Sequence, residues 1–421
     1  NEIGKHLITH NDVDSIVLTG SYETALLFKK WNPSLRLLAE TSGKNSIVVT
    51  ASADIDAAVK DIIDSAFGHA GQKCSASSLA IVEQSIYNNP TFFKQLKDAV
   101  TSLKVGDPAD FSTSVGPLIS PVNKNLSKVI EELEDGEEWL VEPKQLESVY
   151  LWSPGVKINV QPGSWAHQNE WFGPVLGVMN AKDLEQAVDW QNSVPYGLTA
   201  GIQSLNEKEC EYWIENVEAG NLYVNRTTTG AVVDRHPFGG WKKSSFGPTA
   251  KTGGDHYVSM FREYQPVENI ESLKYEFKLT WEEIGNKSIK LGDTESERNF
   301  KRYVPYKNIL LVTEEDFSKD LENFIFWISE LLNISIKIIS QDTLLSPDSD
   351  LDPSLFEKIR WIAMSQEIPT QIFNSGATVD ERGLSQNGKQ ELLCWLKEQS
   401  ISITNHRYGN IGSGPQPFKD W

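Results

Sequence analysis

One of the chain's three cysteines, Cys74, sits in "GHAGQKCSASS", Gly68–Ser78, a stretch made mostly of Gly, Ala and Ser. Small neighbours give a thiol little to pack against and leave room for another molecule to approach. A thiol is only a few per cent ionised at neutral pH, yet it is intrinsically nucleophilic. Attack on a carbonyl also needs N–H donors for the developing oxyanion, and the small flanks leave the amide of Cys74 open to that task. Release of the acyl group then needs a base. His69 lies five residues away, but a loop residue at that distance has no fixed orientation toward the thiol, and geometry precedes assignment. Glu40 is the better base. It ends the apolar run "LRLLAE", at the strand edge where parallel sheets place their ligands. Burial beside Leu and Ala raises a carboxyl pKa toward the working range.

The elements around these residues alternate. "DSIVLTG" reads as a strand, Ser21 as the cap of a helix through "YETALLFKKW", and "LRLLAE" as a second strand. Strand, Gly-Ser turn, helix and strand make a βαβ unit with a parallel sheet. Ile55, Ala58, Val59, Ile62, Ile63 and Ala66 recur at helical spacing before the Cys74 loop, and "SLAIVE" after it reads as a buried strand. From about 90 to 225, helices alternate with short strands, among them "VYLWSPGVKINV". A glycine-rich stretch follows, His236–Gly254, and the charged segment "ESLKYEFKLTWEEIGNKSIKLGDTESERNFKR" reads as a linker. The last 115 or so residues return to a βαβ rhythm, with "KQELLCWLKEQ" as a helix before the strand "SISIT". That region has no G-x-G-x-x-G and no P-loop, so no phosphate site is expected there.

The chain has 421 residues with 39% apolar and 10% aromatic content, enough for two or three globular domains. Its 39 Lys+Arg against 58 Asp+Glu give a formal −19, the opposite of a nucleic-acid or anionic-membrane footprint. Three distant cysteines without a CxxC leave neither a disulfide framework nor a zinc ribbon, and point to the reducing cytoplasm. No apolar run reaches membrane-spanning length. His6 and His10 lack further ligands, so no metal is expected. Cys210 and Cys394 read as packing cysteines on helices. The sequence opens without Met and already in helical pattern, as though cut from something longer.

"ETSGKN" followed by "GQKCSA" resembles the paired glutamate and cysteine motifs of the aldehyde dehydrogenase superfamily at the family's separation. "LTGS", "VGDP", "VGPLIS", "NEWFGPVLGV", "YGLTAGIQS" and "HPFGGWKKSSFG" are similar to further family elements in the family's order. "FGHAGQKCSA" and "NRTTTGAVVDRHPFGGWKKS" look like the glutamate-γ-semialdehyde (1-pyrroline-5-carboxylate) dehydrogenase branch. "GDTESERNFKRYVP" and "KQELLCWLKEQSISITNHRYGN" are similar to the C-terminal region of bifunctional proline utilization A proteins.

The resemblance implies Cys74 as nucleophile and Glu40 as the base of thioester hydrolysis. It implies that Gly20 and Ser21 meet the pyrophosphate of NAD at a helix N-terminus, as the strand-Gly-Ser-helix pattern also suggests. Glu170 would bind the nicotinamide ribose and Phe172 would pack beside the ring. The amides of Gly230 and Ala231, with the Ser75 hydroxyl, would anchor the substrate's α-carboxylate, and Phe238 would line its stem. Oriented N–H groups in a glycine turn make an anion nest, which is how a −19 protein holds an anionic substrate. One departure is Ser42 before a single Gly43, where family members commonly carry two glycines. Another is that the family's oxyanion asparagine and ribose-gripping lysine belong to sequence upstream of what this chain contains. The chain alone is therefore expected to have little dehydrogenase activity.

The expected fold class is α/β: a partial nucleotide-binding fold and an α/β catalytic domain of aldehyde dehydrogenase type, then a C-terminal Rossmann-like domain. The expected boundaries are 1–45 for the nucleotide part, 46–245 catalytic, 246–305 return segment and linker, and 306–421 a non-catalytic aldehyde dehydrogenase-like domain. The expected function is NAD-dependent oxidation of glutamate γ-semialdehyde to glutamate. FAD enters only through a proline dehydrogenase fused upstream. The other expected partner is a second copy in a homo-oligomer. The rival readings are an aldehyde dehydrogenase for another aldehyde, or a C-terminal region serving as a lid or assembly module.

Overall fold

The computed structural model describes residues 2–411 apart from 249, 264, 286, 364–366, 405, 408 and 409. Asn405, Tyr408 and Gly409 of the tail motif, and positions 412–421 of the expected last domain, lie outside the described residues. The strand Ser15–Thr19, the helix Tyr22–Trp31 and the strand Arg36–Glu40 form the βαβ unit, parallel, with Thr19 opposite Glu40. Ser21 caps the helix, its Oγ accepting from the Thr24 amide at 3.2 Å. Ser245–Phe246 adds a short antiparallel strand on the other side of Arg36–Glu40.

The centre of the molecule is a ten-stranded sheet. Seven parallel strands run in the order Leu396–Thr404, Asn221–Val224, Thr199–Gln203, Asn45–Val49, Ser77–Glu83, Val175–Ala181 and Gly155–Ile158. Their burial is near total (Ile47, Val48, Ala80, Ile81 and Val178 all 0% exposed), as expected where helices cover both faces. Antiparallel strands close the two ends, Glu138–Val141 at one and Glu297–Pro305 with Ile289–Lys290 at the other. A second, all-parallel sheet of four strands is built from Asn308–Thr313, Ser335–Ser340, Lys358–Trp361 and Thr378–Asp380. Its core merges with that of the N-terminal βαβ unit: Tyr22, Leu37 and Phe246 pack with Leu310, Trp361 and Phe373. The Tyr22 hydroxyl donates to the Phe373 carbonyl at 2.8 Å, and Lys29 pairs with Glu381.

Three segments differ from the sequence reading. The charged stretch read as a linker is a helix, Ile270–Ile284, followed by the nine-residue strand Glu297–Pro305. The helix hides a narrow apolar stripe, with Leu273 and Phe277 both 0% exposed, among many charges. The strand does alternate, but two of its three buried positions are Asn299 and Lys301, so hydropathy conceals the period. "KQELLCWLKEQ" is a helix only over Gly388–Leu393; Leu396 already begins a strand that runs to Thr404. Lys397, Glu398 and Gln399 favour helix intrinsically, and pairing with a strand on each side overrides that preference. Cys394 is accordingly a helix cap, with its thiol donating to the Gln390 carbonyl at 3.3 Å. In "VYLWSPGVKINV" only Gly155–Ile158 is strand, because Pro154 has no N–H to give to a ladder.

The strand Leu396–Thr404 puts residues from late in the sequence inside the central sheet. Ile401 and Ile403 join the same core as Val48, Leu222 and Val224. Burying such a side chain is worth about 1.5–3 kcal/mol. Ile401→Ala is therefore expected to lower the stability of the whole central sheet by about 2–5 kcal/mol in urea titrations. A cost confined to the C-terminal four-stranded sheet would contradict this.

Candidate active site

The helix Ile55–Phe67 ends against three successive left-handed residues, His69 (φ 56°), Ala70 (φ 54°) and Gly71 (φ 67°). Left-handed backbone costs an L-residue roughly 1–2 kcal/mol, so this turn exists only because its surroundings impose it. Gly71 is required twice over: a Cβ there would lie 2.2 Å from the Gly173 carbonyl. His69 points to the exterior and is exposed. It is not the partner of the thiol.

Beyond the turn, Cys74 is held through its carbonyls. The Asn45 side chain donates Nδ2 to the Cys74 carbonyl at 2.7 Å and to the Ala76 carbonyl at 2.9 Å, while its Oδ1 accepts from the Thr199 amide at 3.0 Å. Thr228 donates its hydroxyl to the Ser75 carbonyl at 2.9 Å. The three consecutive carbonyls of Cys74, Ser75 and Ala76 are thus tied to the scaffold. Gly43 permits this packing, because a Cβ there would sit 2.6 Å from the Cys74 carbonyl. Burial pushes the Cys74 thiol up, and the nearby carboxylates of Glu170 and Glu40 add to the shift. The resting group is a thiol.

Glu40 ends its strand with its carboxyl enclosed by protein. Burial pushes it up to about 8, against the downward pull of Lys251 and of the Gly240 amide, which donates to Oε2 at 3.2 Å. Lys251 is itself buried and is pushed down to about 7 by desolvation, with its Nζ donating to Asn221 and to the Gly239 carbonyl. A carboxyl in this range changes protonation near neutrality, which suits a general base. It lines a cavity of about 670 Å³ that runs toward the C-terminal sheet.

Glu170 is also raised by burial. Its carboxylate accepts from the Gly43 amide at 3.0 Å. Lys44 lies 3.4 Å from the centre of the Trp171 ring, and burial drives its amine well down. Phe172 adopts φ 53°, just before the Gly173 that packs on Gly71. Gly20 spends its amide on the Glu40 carbonyl at 3.1 Å, which ties the start of the helix Tyr22–Trp31 to Glu40. Ser75 is buried, whereas Gly230 and Ala231 are exposed on the loop that Thr228 tethers to Ser75. Among the described residues the amides of Gly230 and Ala231 have no partner within the protein. Phe238 pairs its backbone with Thr252 and precedes Gly239, whose Cβ position is 3.0 Å from the Glu40 carboxylate. Gly20 is bonded to Glu40 and Glu170 lies near Cys74, whereas the exposed Gly230 and Ala231 meet this region only through the Thr228 tether. Sequence reasoning missed Asn45, Thr228 and Lys251. A polar residue opening an otherwise apolar buried strand was a signal for Asn45; the other two had none.

The architecture agrees with the family comparison. A model of the aldehyde dehydrogenase family matches residues 1–267, and the chain belongs to that family. It is 36% identical over 282 residues to a 1-pyrroline-5-carboxylate dehydrogenase of Geobacillus sp. (strain WCH70), covering 64% of this chain and 53% of that protein. Proline utilization A from Corynebacterium freiburgense superposes with a TM-score of 0.86 at 40% identity, over 97% of this chain and 43% of that one. A Thermus 1-pyrroline-5-carboxylate dehydrogenase with bound NAD gives 0.56 at 35% identity, over 62% of this chain and 51% of that one. The chain thus spans about half the length of the relatives it matches. No helix among the described residues is long and apolar enough to cross a membrane.

Because Cys210 and Cys394 are both buried, only Cys74 should react with iodoacetamide in the folded protein. Its alkylation rate should rise with a midpoint above the ~8.5 of an ordinary thiol. Glu170→Gln removes a neighbouring negative charge and should move that midpoint down. Full thiolate reactivity already present at neutral pH would contradict the account.

Proposed function

We propose that this chain carries the nucleophile, the base and the substrate-carboxylate anchor of an NAD-dependent enzyme that oxidises glutamate γ-semialdehyde to glutamate. The observation that carries the reading is the Thr228 tether. It joins a loop with two unpartnered amides to the carbonyl of the residue after the nucleophile. A substrate with a carboxylate at one end and an aldehyde at the other is the chemistry that such a joint fits. The names of the relatives above support the same substrate.

In this reading the Cys74 sulfur, once deprotonated, bonds to the aldehyde carbon, and the carbonyl oxygen takes the negative charge beside the Cys74 amide. Loss of hydride from that carbon restores the C=O and leaves a thioester on Cys74. Glu40, ionised, takes a proton from water; the resulting hydroxide adds to the thioester, the C–S bond breaks, and glutamate leaves. The dinucleotide, when bound, supplies the hydride acceptor. The site suits such a group: Gly20, with no side chain in the way, and the cap Ser21 lead into a helix N-terminus at the C-terminal end of a parallel strand, and Glu170 offers a carboxylate for ribose hydroxyls. Phe172 would flank the ring, Ser75 would add its hydroxyl to the amides of Gly230 and Ala231, and Phe238 would line the substrate's stem. The likeness to proline utilization A supports two further proposals. An FAD-dependent proline dehydrogenase precedes this chain in the complete protein, and the whole works in the cytoplasm.

The test uses the full-length enzyme. Cys74→Ser should abolish NADH formation, whereas Glu40→Gln should give one NADH per site in a fast burst and then stall at the thioester. The unaltered enzyme should prefer glutamate semialdehyde to propanal in kcat/KM. Steady turnover by Cys74→Ser, or no preference between the aldehydes, overturns this reading.

A further inference from the structure

The loop bearing Gly230 and Ala231 starts at Arg226 and ends at His236, and both ends meet one carboxylate from far along the chain. Arg226 Nη1 donates to Glu297 Oε2 at 2.6 Å, and His236 Nε2 lies 3.0 Å from Glu297 Oε1. The His236 Nδ1 accepts from the Val232 amide at 2.9 Å, which puts the proton of a neutral ring on Nε2, facing Glu297. Ser402 completes the joint. It accepts from Arg226, lies 3.1 Å from His236 Nε2, and donates to Asn299 Oδ1 at 2.7 Å. Asn299 in turn donates to Glu297 Oε1 at 2.9 Å. Glu297, Asn299 and Ser402 belong to the two paired strands Glu297–Pro305 and Leu396–Thr404.

Between its pinned ends the loop is exposed, from Gly230 to Asp234. Gly230 (φ 88°) and Asp234 (φ 66°) both adopt left-handed backbone. An exposed loop without its own secondary structure keeps one conformation only if its ends are fixed. Thr228 fixes its near side to the nucleophile, as described above. Among the described residues, the ion pairs of the far side are all made to Glu297, that of Arg235 Nη1 at 3.8 Å included.

We propose that Glu297, with Ser402, is a positioning device for substrate recognition: strands from the C-terminal part of the chain hold both ends of the 226–236 loop, and so set where its free amides meet the substrate's carboxylate. This rests on the substrate reading above. Glu297 touches no reacting atom. It acts through Arg226 and His236, so its loss should affect recognition of the carboxylate and spare the chemistry at Cys74.

The experiment compares Glu297→Gln and Ser402→Ala with the unaltered full-length enzyme on two aldehydes, and follows amide hydrogen exchange in the 227–236 segment. Glu297→Gln should raise KM for glutamate semialdehyde about tenfold with kcat changed less than about twofold, and leave KM for propanal unchanged. Ser402→Ala should give the same pattern, more weakly. In both variants the 227–236 amides should exchange faster while the central strands keep their protection. Equal losses on both aldehydes, or unchanged KM and exchange, would overturn the proposal. If the unaltered enzyme shows no preference for the carboxylated aldehyde, the substrate reading fails by itself. The clamp is then decided by exchange alone, with unchanged 227–236 exchange refuting it.

Discussion

The arrangement around Cys74 depends on one amide side chain. Asn45, 1% exposed, uses both protons of its Nδ2 on the carbonyls that flank Ser75, and its oxygen on the neighbouring strand at Thr199. It therefore joins the Asn45–Val49 strand to the Cys74 loop on one side and to Thr199–Gln203 on the other. Each buried carbonyl left without a partner costs about 1–3 kcal/mol, so the loop has one strongly preferred position. The consequence is chemical. With the loop's carbonyls spent on the scaffold, the amides of Cys74 and Ser75 are held out of backbone hydrogen bonds among the described residues and are available to an oxyanion.

Burial sets the acid–base character of the same region. Desolvation raises Cys74, Glu40 and Glu170 together and lowers Lys251 and Lys44. In a chain with formal charge −19, a site built of ionised carboxylates would repel an anionic substrate. Raised carboxyl pKa values soften that repulsion, and Lys251 keeps Glu40 from rising out of reach. Under the proposed substrate reading, peptide dipoles in the 226–236 loop, which carry no net charge, would be left to meet the substrate's anion.

Much of this was legible in the sequence because it rests on local signals. The strand-Gly-Ser-helix pattern gave the βαβ unit and its Ser21 cap; the 3.6-residue spacing of Ile55–Phe67 gave the helix that delivers Cys74. The end of an apolar run gave Glu40 as a buried carboxyl. What stayed hidden is long-range. Glu297–Pro305 buries Asn299 and Lys301, so its alternation looks like surface, and only pairing with Leu396–Thr404 explains it. Lys397–Gln399 reads as helix for the same reason. Thr228 and Lys251 act through partners 153 and 30 residues away, and a single sequence offers no trace of such contacts.

The central claim is that the sulfur of Cys74 carries the acyl group during turnover. The most direct measurement is the mass of the peptide containing Cys74 after full-length enzyme, oxidising glutamate semialdehyde, is quenched in acid. The account predicts an acyl group on that peptide that hydroxylamine removes. An unmodified Cys74 peptide while glutamate accumulates, or an acyl group on another residue, would contradict it.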